Sequence, residues 1–599
     1  MKSVSSVLAW AAAARASVYH LRTSAPASAG PPLLDAFVSY SIEFASFPDF
    51  AGNKSAPNTF SDALLSNLGE LTGSKPYIRV GGNTQDYALY NASLPWAING
   101  TFNLSRSADY PTTVYIGPSF FEGYRTLPGT RFSHGFNLAL ATTPAGWQSL
   151  LDTVPLVCDA LAPEVIPAND TTTASNGAAN RGMSYTRRRL YTWEYGNEPD
   201  LLSTSAQGPT RPTGWNESIY ASQWLNGTRQ IRRLIEKHCS ELLREDFRSG
   251  GSSTQTSPPA VPPDYSGFMA PSFGGTHNHL KAPAAWKAGL DADRNIALFS
   301  SHNYISGATS PGVTLQGTLM NHTNTVRSVN AHIAEYEAIF GVAAGNSTRR
   351  SQPRHILGEA NSLYNEGKPG LSNTFGAALW GVDFLLYSAA AGIGRVHMHQ
   401  GANYRYASWQ PVDTESTTRG TKPPYYGNVA VAAALGNTQL HNVSVAVLFP
   451  SGSSSSGDID SAYAIYVDGH LARVLVLNLR GYNTTVDGTG LGEAAPAGFR
   501  PRPSQNYTFS LPTPIHNGIQ QHVPGGLDNN SAGFLVQRLL ANGSDAITGI
   551  TWDGWSYNVE LAGGRPVKQP NVTTGEKLQS QGGQVTVSVP DSSAALLHL

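Results

Sequence analysis

The chain has little cysteine and little charge for its length. Its 599 residues include 2 Cys, and 14% of them are charged, against about 25% in a typical globular domain. Two cysteines are too few for the disulfide framework that holds small secreted domains together. The 40 basic and 41 acidic residues give a formal charge of −1. No global field would therefore attract nucleic acid or an anionic membrane, and neither is expected as a partner.

Long hydrophobic runs are also missing. No run reaches the roughly 18 apolar residues that a transmembrane helix needs. The N-terminus instead has a secretory pattern, in which Lys2 precedes the apolar Val7–Trp10 and Ala14-Arg15-Ala16 offers a cleavage site. We therefore expect residues 1–16 to be a signal peptide and the protein to be secreted. Cys158 and Cys239 could pair in that compartment, although the sequence supplies no geometry that decides it.

Sequons of the form N-x-S/T are frequent along the chain. A chain rich in Asn, Ser and Thr produces some by chance, but so many favour a surface that carries N-glycans. Attached sugars would also supply the polarity that the low charge content leaves missing. The sequons begin at Asn53, Asn91, Asn99, Asn103, Asn169, Asn216, Asn226, Asn321, Asn346, Asn442, Asn483, Asn506, Asn529, Asn542 and Asn571.

Short apolar runs alternate with helical patterns in the first two thirds of the chain. Val329, Ile333 and Tyr336, for example, step along one face of a helix. A strand and a helix repeated about eight times predict a (β/α)8 TIM barrel, placed at residues 17–434. A doubly wound open sheet is the alternative, but no G-x-G-x-x-G opens a helix. The predicted strands are Phe37–Phe44, Tyr77–Gly82, Phe132–Leu140, Leu190–Gly196, Ser266–Phe273, Ile296–Ile305, His355–Ala360 and Gly394–Gln400.

Helical periodicity fades after the barrel. Strand-like runs separated by turn-rich segments predict a C-terminal antiparallel β-sandwich at residues 435–599. Two stretches without periodicity, Asn169–Met183 and Ser249–Asp264, indicate surface insertions on the barrel. The predicted strands of the sandwich are Ala462–Val467, Arg473–Leu479, Ile547–Trp552 and Val585–Val589.

Two predicted barrel strands end in carboxylates. The fourth ends in Trp193–Pro199, which contains Glu198, and the seventh ends in Ile356–Ser362, which contains Glu359. Because barrel enzymes place their chemistry where strands end, the two carboxyl groups could face each other across the axis. Facing carboxyl groups are the equipment for breaking a glycosidic bond: one donates a proton to the leaving oxygen, and the other attacks the sugar or positions water. The alternative is that both are ordinary loop carboxylates.

Four segments together resemble glycoside hydrolase family 79, of the fungal and bacterial β-glucuronidase type related to heparanase. They are Arg79–Asn83, Glu194–Pro199, Gly358-Glu359 followed by Tyr364, and Gly401–Tyr404. The family contains β-glucuronidases, 4-O-methyl-glucuronidases and heparanase. Its members carry a C-terminal β-sandwich that N-terminal residues partly complete, so the resemblance covers nearly the whole chain.

The resemblance implies a role for each matching residue near the bond that is cleaved. Glu198 would be the acid/base and Glu359 the nucleophile of a retaining mechanism. Asn197 would hydrogen-bond the sugar 2-hydroxyl, and Tyr304 would orient the nucleophile through its hydroxyl. Glu43, at the end of the first strand, could bind sugar hydroxyls.

For the uronate carboxylate, the resemblance points to Tyr364 and to the loop Gly401–Tyr406. Tyrosine hydroxyls and backbone N–H groups of this loop would be the donors, and they suit a carboxylate without a buried cation. Gly401, Tyr404 and Tyr406 are the candidates in the loop, and the sequence does not decide between the two tyrosines. No cofactor and no metal ion are expected.

Other residues have weaker signals. His397 and His399 share one face of the eighth strand and are expected to be packed or hydrogen-bonded rather than zinc-bound. Arg79 is expected to form an ion pair with a carboxylate at the barrel mouth and to hold it ionised. Arg187–Arg189 is interpreted as a solvated basic segment, with polyanion binding as the alternative. Trp409 could stack on a sugar or pack against the barrel.

These observations favour a secreted exo-β-glucuronidase that releases terminal glucuronate, including 4-O-methylated glucuronate, from glycans. An endo-acting, heparanase-like enzyme is the nearest alternative, but it would need a basic cleft that the near-neutral chain does not indicate. A β-glucosidase or xylan-cleaving enzyme with the same retaining mechanism is a further alternative. A carbohydrate-binding protein on an inactive barrel is disfavoured because both carboxylates are present.

Overall fold

The structure is a computed structural model. Several sequence predictions fall outside the residues that it describes: the signal peptide, the insertions Asn169–Met183 and Ser249–Asp264, and the sequons at Asn169, Asn346 and Asn529. The described ranges are 17–105, 110–166, 185–205, 208–243, 267–341, 352–455, 457–496, 501–512 and 533–599.

Eight parallel strands close into a barrel, which confirms the predicted fold class. Strand β1 lies between β2 and β8, and β3 pairs with β4 to complete the ring. The strands are buried on both faces, and for that reason they can be recognised in the sequence as apolar runs. Their bounds are β1 (Val38–Glu43), β2 (Ile78–Gly81), β3 (Phe132–Phe136), β4 (Leu190–Tyr195), β5 (Phe268–Phe273), β6 (Ile296–Gly307), β7 (Arg354–Tyr364) and β8 (Val396–Gln400).

Helices surround the barrel. Most begin at an Asn or Thr whose side chain accepts a hydrogen bond from the first turn, as at Asn58, Asn216 and Thr374. Cys158 and Cys239 form a disulfide. The helices are α1 (Thr59–Thr72), α2 (Pro144–Leu161), α3 (Glu217–Cys239), α4 (Ala282–Lys287), α5 (His322–Phe340), α6 (Phe375–Ala391) and α7 (Pro423–Leu435).

The connection between β2 and β3 departs from the repeat. Its described residues contain the 3-10 helix Pro118–Arg125 and a small sheet in place of a barrel α-helix. The sheet has three strands, Ala88–Tyr90, Ile98–Thr101 and Thr113–Ile116. None of the helices in the described ranges is long and apolar enough to span a bilayer.

The C-terminal region is a β-sandwich, as predicted. Its larger sheet runs in the order β9-β10-β11-β15-β13 and continues into short strands, while β12 and β14 form the smaller sheet with the N-terminal strand Ser17–His20. That strand pairs with β12 in parallel, so one pair of the sandwich is not antiparallel. The bounds are β9 (Val443–Val447), β10 (Asp460–Val467), β11 (His470–Asn478), β12 (Ser504–Ser510), β13 (Phe534–Leu540), β14 (Gln584–Pro590) and β15 (Ser593–His598).

The larger sheet is buried on both faces. On β10, Tyr463 and Ile465 join the core that the sheet shares with the barrel, whereas Ala464 and Tyr466 join the core between the two sheets. Alternate residues of a strand point to opposite faces. One strand therefore contributes to two cores, and the sheet fixes the sandwich against the barrel.

The predicted strand Ile547–Trp552 is mostly wrong. Only Thr551–Trp552 is strand. Gly549 has a φ of 72°, a left-handed conformation that interrupts an extended chain. The carboxylate of Asp545 accepts hydrogen bonds from the backbone N–H groups of Thr484 and Thr485, so the preceding residues form a loop held against another segment.

Candidate active site

Glu198 lies at the end of β4 in a left-handed conformation. Its φ is 44°, and its backbone N–H donates to the carbonyl of Ser272 at 3.0 Å. Pro199 then begins a 3-10 turn. The side chain, 13% exposed, places Oε1 3.0 Å from Nδ1 of His302. Non-glycine residues rarely adopt this backbone conformation, and those that do are concentrated at functional sites.

Glu359 lies on β7 beside β6, and hydrogen-bond donors surround its carboxylate. The hydroxyl of Tyr304 donates to Oε1 at 2.7 Å, and Nη1 of Arg79 donates to Oε2 at 2.5 Å. Nδ1 of His399 lies 3.6 Å from the same Oε2. Three strands besides β7 therefore hold this carboxylate in one orientation.

The two carboxyl groups converge. One ligand atom each of Glu198, His302 and Glu359 lies within 4.8 Å of the other two, the one such cluster in the described ranges that could hold a metal ion. A metal would compete with Arg79 for Oε2 of Glu359, and its charge would be repelled by the guanidinium. The cluster therefore fits a proton-transferring pair better than a metal site.

The surroundings push the two carboxyl pKa values apart. Burial, and then the negative charge of Glu359, raises the pKa of Glu198 to about 8. Burial alone would also raise the pKa of Glu359, but His399, Arg79 and the Tyr304 hydroxyl hold it well below its usual range. At neutral pH the pair thus contains one carboxylic acid and one carboxylate, the division of labour of an acid and a nucleophile.

His302 supports the protonated state of Glu198. Burial lowers the pKa of His302 to about 4, so its ring is neutral at neutral pH. A neutral ring nitrogen can accept the proton that a carboxylic acid donates. The contact of Nδ1 with Glu198 is therefore compatible with an acid that keeps its proton until substrate arrives.

Arg79 joins the site across the barrel. It is fully buried, and it donates to Glu194 at 2.8 Å, to the Oδ1 of Asn197 at 2.7 Å and to Ser41 at 3.0 Å. Together with its contact to Glu359, these bonds are the ion pair with mouth carboxylates that the sequence indicates. Arg79 fixes Glu359 and Asn197 relative to one another.

Glu43 and the Gly401–Tyr406 loop form the adjoining wall. Oε2 of Glu43 accepts from the hydroxyl of Tyr404 at 3.2 Å and lies 3.4 Å from Nε2 of His399, while Oε1 accepts from the backbone of Thr84 at 2.8 Å. A Cβ on Gly401 would approach the Tyr404 ring to 2.8 Å, so the loop packs closely because this residue has no side chain.

Comparison with known proteins places this site in a family. The chain is 52% identical to a β-glucuronidase of Neurospora crassa over 95% of its length and 94% of that protein. It is 48% identical to a β-glucuronidase of Aspergillus niger, covering 96% of this chain and 93% of that protein. The model of the glycosyl hydrolase family 79 C-terminal β domain matches residues 462–596. The chain belongs to glycoside hydrolase family 79.

Solved structures show the same fold. A 4-O-α-L-rhamnosyl-β-D-glucuronidase from Fusarium oxysporum 12S superposes with a TM-score of 0.66 at 23% identity, covering 97% of this chain and 100% of that one. A family 51 α-L-arabinofuranosidase from Bifidobacterium longum gives a TM-score of 0.52 at 14% identity, covering 97% and 99%. The two β-glucuronidases and the family model confirm the resemblance to family 79 that the sequence indicates, and the chain is a glycoside hydrolase.

The family 79 motifs are only partly gathered around the carboxyl pair. The ring of Tyr406 is buried 6.1 Å from that of Tyr304. Tyr364 lies at the rim of the barrel, 47% exposed, with its hydroxyl 3.4 Å from Ser310. The role of Tyr364 in binding uronate stays a prediction.

Sequence reasoning missed three residues of the site. His302 alternates with Tyr304 on β6, so the period of a strand could have placed both on one face. The prediction that His399 is packed or hydrogen-bonded is confirmed by its 2.8 Å contact with Ser41, but its position beside both Glu43 and Glu359 has no signal in the sequence. Lys422 gave no signal, and its Nζ donates to the carbonyl of Tyr404 at 2.8 Å. Burial and the neighbouring Arg405 lower the pKa of Lys422 to about 8.

The remaining candidates have structural surroundings. Trp409 is fully buried, packs against Tyr40 and Phe50, and donates to Ser61 at 3.0 Å, so it is barrel packing rather than a sugar platform. His397 lies 3.2 Å from the hydroxyl of Tyr191. In the basic segment Arg187–Arg189, Arg189 lies 3.1 Å from Glu164. This segment precedes β4 and is at the opposite end of the barrel from Glu198.

Proposed function

We propose that this glycoside hydrolase is an exo-acting β-glucuronidase that retains the configuration of the sugar. The β-glucuronidases of N. crassa and A. niger, similar over nearly the whole chain, support the substrate. The observation that carries the mechanism is the close approach of the carboxyl groups, since one oxygen of Glu198 lies within 4.8 Å of one oxygen of Glu359. Retaining glycosidases hold the two carboxyl groups about 5–5.5 Å apart, whereas inverting ones leave about 6.5–9.5 Å for a water molecule.

The first step forms a covalent intermediate. An oxygen of the Glu359 carboxylate bonds to C1 of glucuronate while the bond from C1 to the glycosidic oxygen breaks. Glu198 gives its proton to that leaving oxygen, so the aglycone departs as a neutral alcohol. The raised pKa of Glu198 keeps the proton available, and the lowered pKa of Glu359 keeps the nucleophile ionised.

The second step releases the sugar. Glu198, now a carboxylate, takes a proton from a water molecule whose oxygen bonds to C1, and the ester bond to Glu359 breaks. Glucuronate leaves with its original β configuration, and both carboxyl groups return to their starting states. Arg79 and Tyr304 stabilise the departing carboxylate of Glu359 through the hydrogen bonds that they already make.

The residues around the carboxyl pair supply the proposed sugar contacts. Asn197, oriented by Arg79, is the proposed partner of the 2-hydroxyl, and Glu43 binds sugar hydroxyls beside it. Tyr364 and the Gly401–Tyr406 loop are the proposed partners of the uronate carboxylate. Lys422 adds positive charge behind that loop, because its Nζ donates to the carbonyl of Tyr404.

The arrangement favours exo action over a heparanase-like cleft. The basic segment Arg187–Arg189 lies away from the carboxyl pair, so it offers no binding surface for a sulfated chain at the site. A carbohydrate-binding protein on an inactive barrel would not need two carboxyl groups with opposite pKa shifts.

Hydrolysis of an aryl β-D-glucuronide, compared with the matching β-D-glucoside, tests the substrate. We expect the glucuronide to be cleaved at least about 100-fold faster, because several donors would be left unpaired opposite a neutral C6. Equal rates would refute the uronate assignment. Proton NMR of the first product anomer tests the mechanism, and an α product would refute the nucleophilic role of Glu359.

We further propose that the enzyme is secreted and N-glycosylated. The secretory pattern of residues 1–16 and the sequons support this. Every sequon asparagine in the described ranges is exposed to solvent, except Asn321, which is partly exposed and caps α5. Mass spectrometry of enzyme from a fungal culture medium tests both parts, and an intracellular, sugar-free protein would contradict them.

A further inference from the structure

A hairpin in the β2–β3 connection carries one sequon on its outer face. Strand Ile98–Thr101 pairs antiparallel with Thr113–Ile116, and the register places Asn99 opposite Tyr115 and Thr101 opposite Thr113. These four side chains are exposed, whereas Val114 and Ile116 on the other face are buried. The acceptor asparagine, the sequon threonine and the tyrosine therefore share one solvent-facing surface.

The distance across the hairpin suits a direct contact. Residues directly opposite on an antiparallel pair hold their Cβ atoms about 4.5–5.5 Å apart. A substituent on the Asn99 amide therefore begins beside the ring of Tyr115, which is 40% exposed. The C–H face of a pyranose ring and the face of a tyrosine ring are both flat, weakly polar surfaces, and contact between them removes both from water.

We propose that Asn99 carries an N-linked glycan whose first N-acetylglucosamine stacks on Tyr115. In the attachment step, the Asn99 amide nitrogen bonds to C1 of a lipid-pyrophosphate-linked oligosaccharide, the bond from C1 to the pyrophosphate oxygen breaks, and the amide loses one proton. The exporting cell supplies this donor. The inference thus depends on the proposed secretion, but not on the proposed substrate.

Three other sequons in the described ranges lack this arrangement. Asn506 also lies exposed on a strand, β12, but its cross-strand neighbour is the small Ser588. Asn91 and Asn103 lie in turns in which their Oδ1 atoms accept from the backbone and hydroxyl of Ser93 and Ser105. Asn506 is the matched control, because it offers a glycan on a strand without an aromatic partner.

The stacked sugar would stabilise the hairpin, which lies next to a turn that contacts residues of the candidate active site. The hairpin shares its sheet with Ala88–Tyr90, which directly follows the turn Asn83–Tyr87. In that turn, Thr84 binds Glu43, and Asn83 accepts from Nδ2 of Asn197 at 3.1 Å. Ordering the hairpin therefore stabilises the residues proposed to contact the sugar, without adding a group to the reaction.

The experiment uses the full chain secreted by a fungal host. Glycopeptide mass spectrometry first measures the fraction of each sequon asparagine that carries a glycan. Amide hydrogen exchange of residues 98–101 and 113–116 is then measured for the wild type, Asn99→Gln, Tyr115→Thr and the double variant. The wild type is also measured after an endoglycosidase trims each glycan to one N-acetylglucosamine, which needs no mutation.

We expect Asn99 to be occupied and either single substitution to speed exchange in the hairpin about twofold to fivefold, the range of a cross-strand pair. The double variant should exchange no faster than the single ones, and trimming to one sugar should change nothing. Asn506→Gln should leave exchange in β12 and β14 unchanged.

Three results would overturn the inference. The first is an unoccupied Asn99 on a protein that is glycosylated elsewhere. The second is additive effects of the two substitutions, which would mean that sugar and ring do not meet. The third is faster exchange in the trimmed wild type, which would assign the effect to the outer sugars. A protein without any glycan would instead refute the proposed glycosylation as a whole.

Discussion

At the scale of single residues, Glu198 and Glu359 lie close together but differ in what surrounds them. Glu359 receives hydrogen bonds from Arg79 and Tyr304, whereas Glu198 contacts a neutral His302. Two carboxyl groups this close resist double ionisation, so burial and the negative charge of Glu359 together keep the proton on Glu198. The chemistry of each residue is therefore set by its neighbours rather than by its type.

Replacing Glu359 tests its proposed role. Glu359→Gln should lower kcat on an aryl β-D-glucuronide by about 10⁴-fold or more, because the amide cannot form the covalent intermediate. Steady-state kinetics measure the loss, and circular dichroism verifies the fold. Glu415→Gln, an exposed carboxylate in a loop, is the control and should keep full activity. A variant with more than about 1% of the activity would contradict the assignment.

The pH dependence follows from the raised pKa of Glu198. Its proton is needed for the first step, so kcat/KM should fall as pH rises through the pKa of about 8. The lowered pKa of Glu359 puts the acid limb far below neutral pH. Glu198→Gln should lose the alkaline limb along with most of the rate. A wild-type profile that is flat to about pH 10 would contradict the acid role.

Glu198→Ala separates the acid role from the nucleophilic role. Substrates with good leaving groups need little protonation, so the variant should keep partial activity on a dinitrophenyl β-D-glucuronide and very little on an alkyl glucuronide. Azide should raise the rate by attacking the intermediate from the side that Glu198 vacates, and the product should be the β-azide. Formation of the α-azide would contradict a covalent bond to Glu359.

The sequence reveals some site residues and hides others for a physical reason. Glu198 follows the apolar strand β4 and Glu359 lies within the apolar strand β7, so local pattern finds both. The contacts of Arg79 cannot be found this way, because Glu194 and Glu359 are 115 and 280 residues away and meet it only when the barrel closes. The side-chain distances that set the pKa values depend on that closure.

At the scale of elements, strand prediction succeeds where both faces are buried. All eight barrel strands match predicted apolar runs, with β7 extended by several residues to Tyr364. Strand β12 has no apolar run, since Ser504 and Asn506 face solvent while only Tyr507 and Phe509 join the core between the sheets. Its partner β14 is predicted, because Val585, Val587 and Val589 alternate cleanly.

The disulfide between Cys158 and Cys239 should stabilise the pair of helices that it joins. The two cysteines are separated by 81 positions in the sequence. A cross-link over a loop of that length restricts the unfolded chain and thereby stabilises the folded state by about 2–4 kcal/mol. The double variant Cys158→Ser/Cys239→Ser should lose that much free energy of unfolding in urea. Dithiothreitol should destabilise the wild type and leave the variant unchanged; an unaffected wild type would contradict the bridge.

At the scale of the whole molecule, the sandwich covers one side of the barrel. Helix α6 is buried nearly all round, although a barrel helix usually exposes one face. The backbone N–H of Phe375 donates to the carbonyl of Ala546, and the hydroxyl of Tyr463 donates to Asp383 at 2.7 Å. The sequence predicts both domains but not this interface, because the sequence of an apolar helix face does not indicate which element packs against it.

A buried ion pair lies within the interface. Nδ1 of His322, at the start of α5, lies 2.9 Å from Oδ1 of Asp383 on α6, and Tyr463 of β10 shares that oxygen. Tyr387 packs beside the His322 ring, and Asp458 accepts from the His322 backbone N–H at 2.8 Å. Burial alone would lower the pKa of His322, but Asp383 raises it, while His322 and Tyr463 lower the pKa of Asp383 despite its burial.

The pH at which this pair stabilises the fold follows from those directions. A histidine whose pKa is raised by folding stabilises the folded state fully below its unfolded pKa of about 6.5. This stabilisation is lost as pH rises through its folded pKa. An aspartate whose pKa is lowered by folding stabilises the folded state fully above its unfolded pKa of about 3.9. This stabilisation is lost as pH falls through its folded pKa. The contribution of the pair is therefore complete between about pH 4 and 6.5 and declines as pH rises through the raised pKa of His322.

His322→Gln should therefore destabilise the enzyme most in mild acid. Because it leaves Asp383 buried without its cation, we expect a loss of about 3 kcal/mol near pH 5.5 and a smaller loss near pH 9, since the stabilisation from a histidine with a raised pKa declines as pH rises. Urea unfolding followed by tryptophan fluorescence at both pH values measures it. His441→Gln is the matched control, because its pair with Asp468 is about half exposed, and it should cost less than about 1 kcal/mol. A loss independent of pH would show that packing, and not the ion pair, joins the two domains at this point.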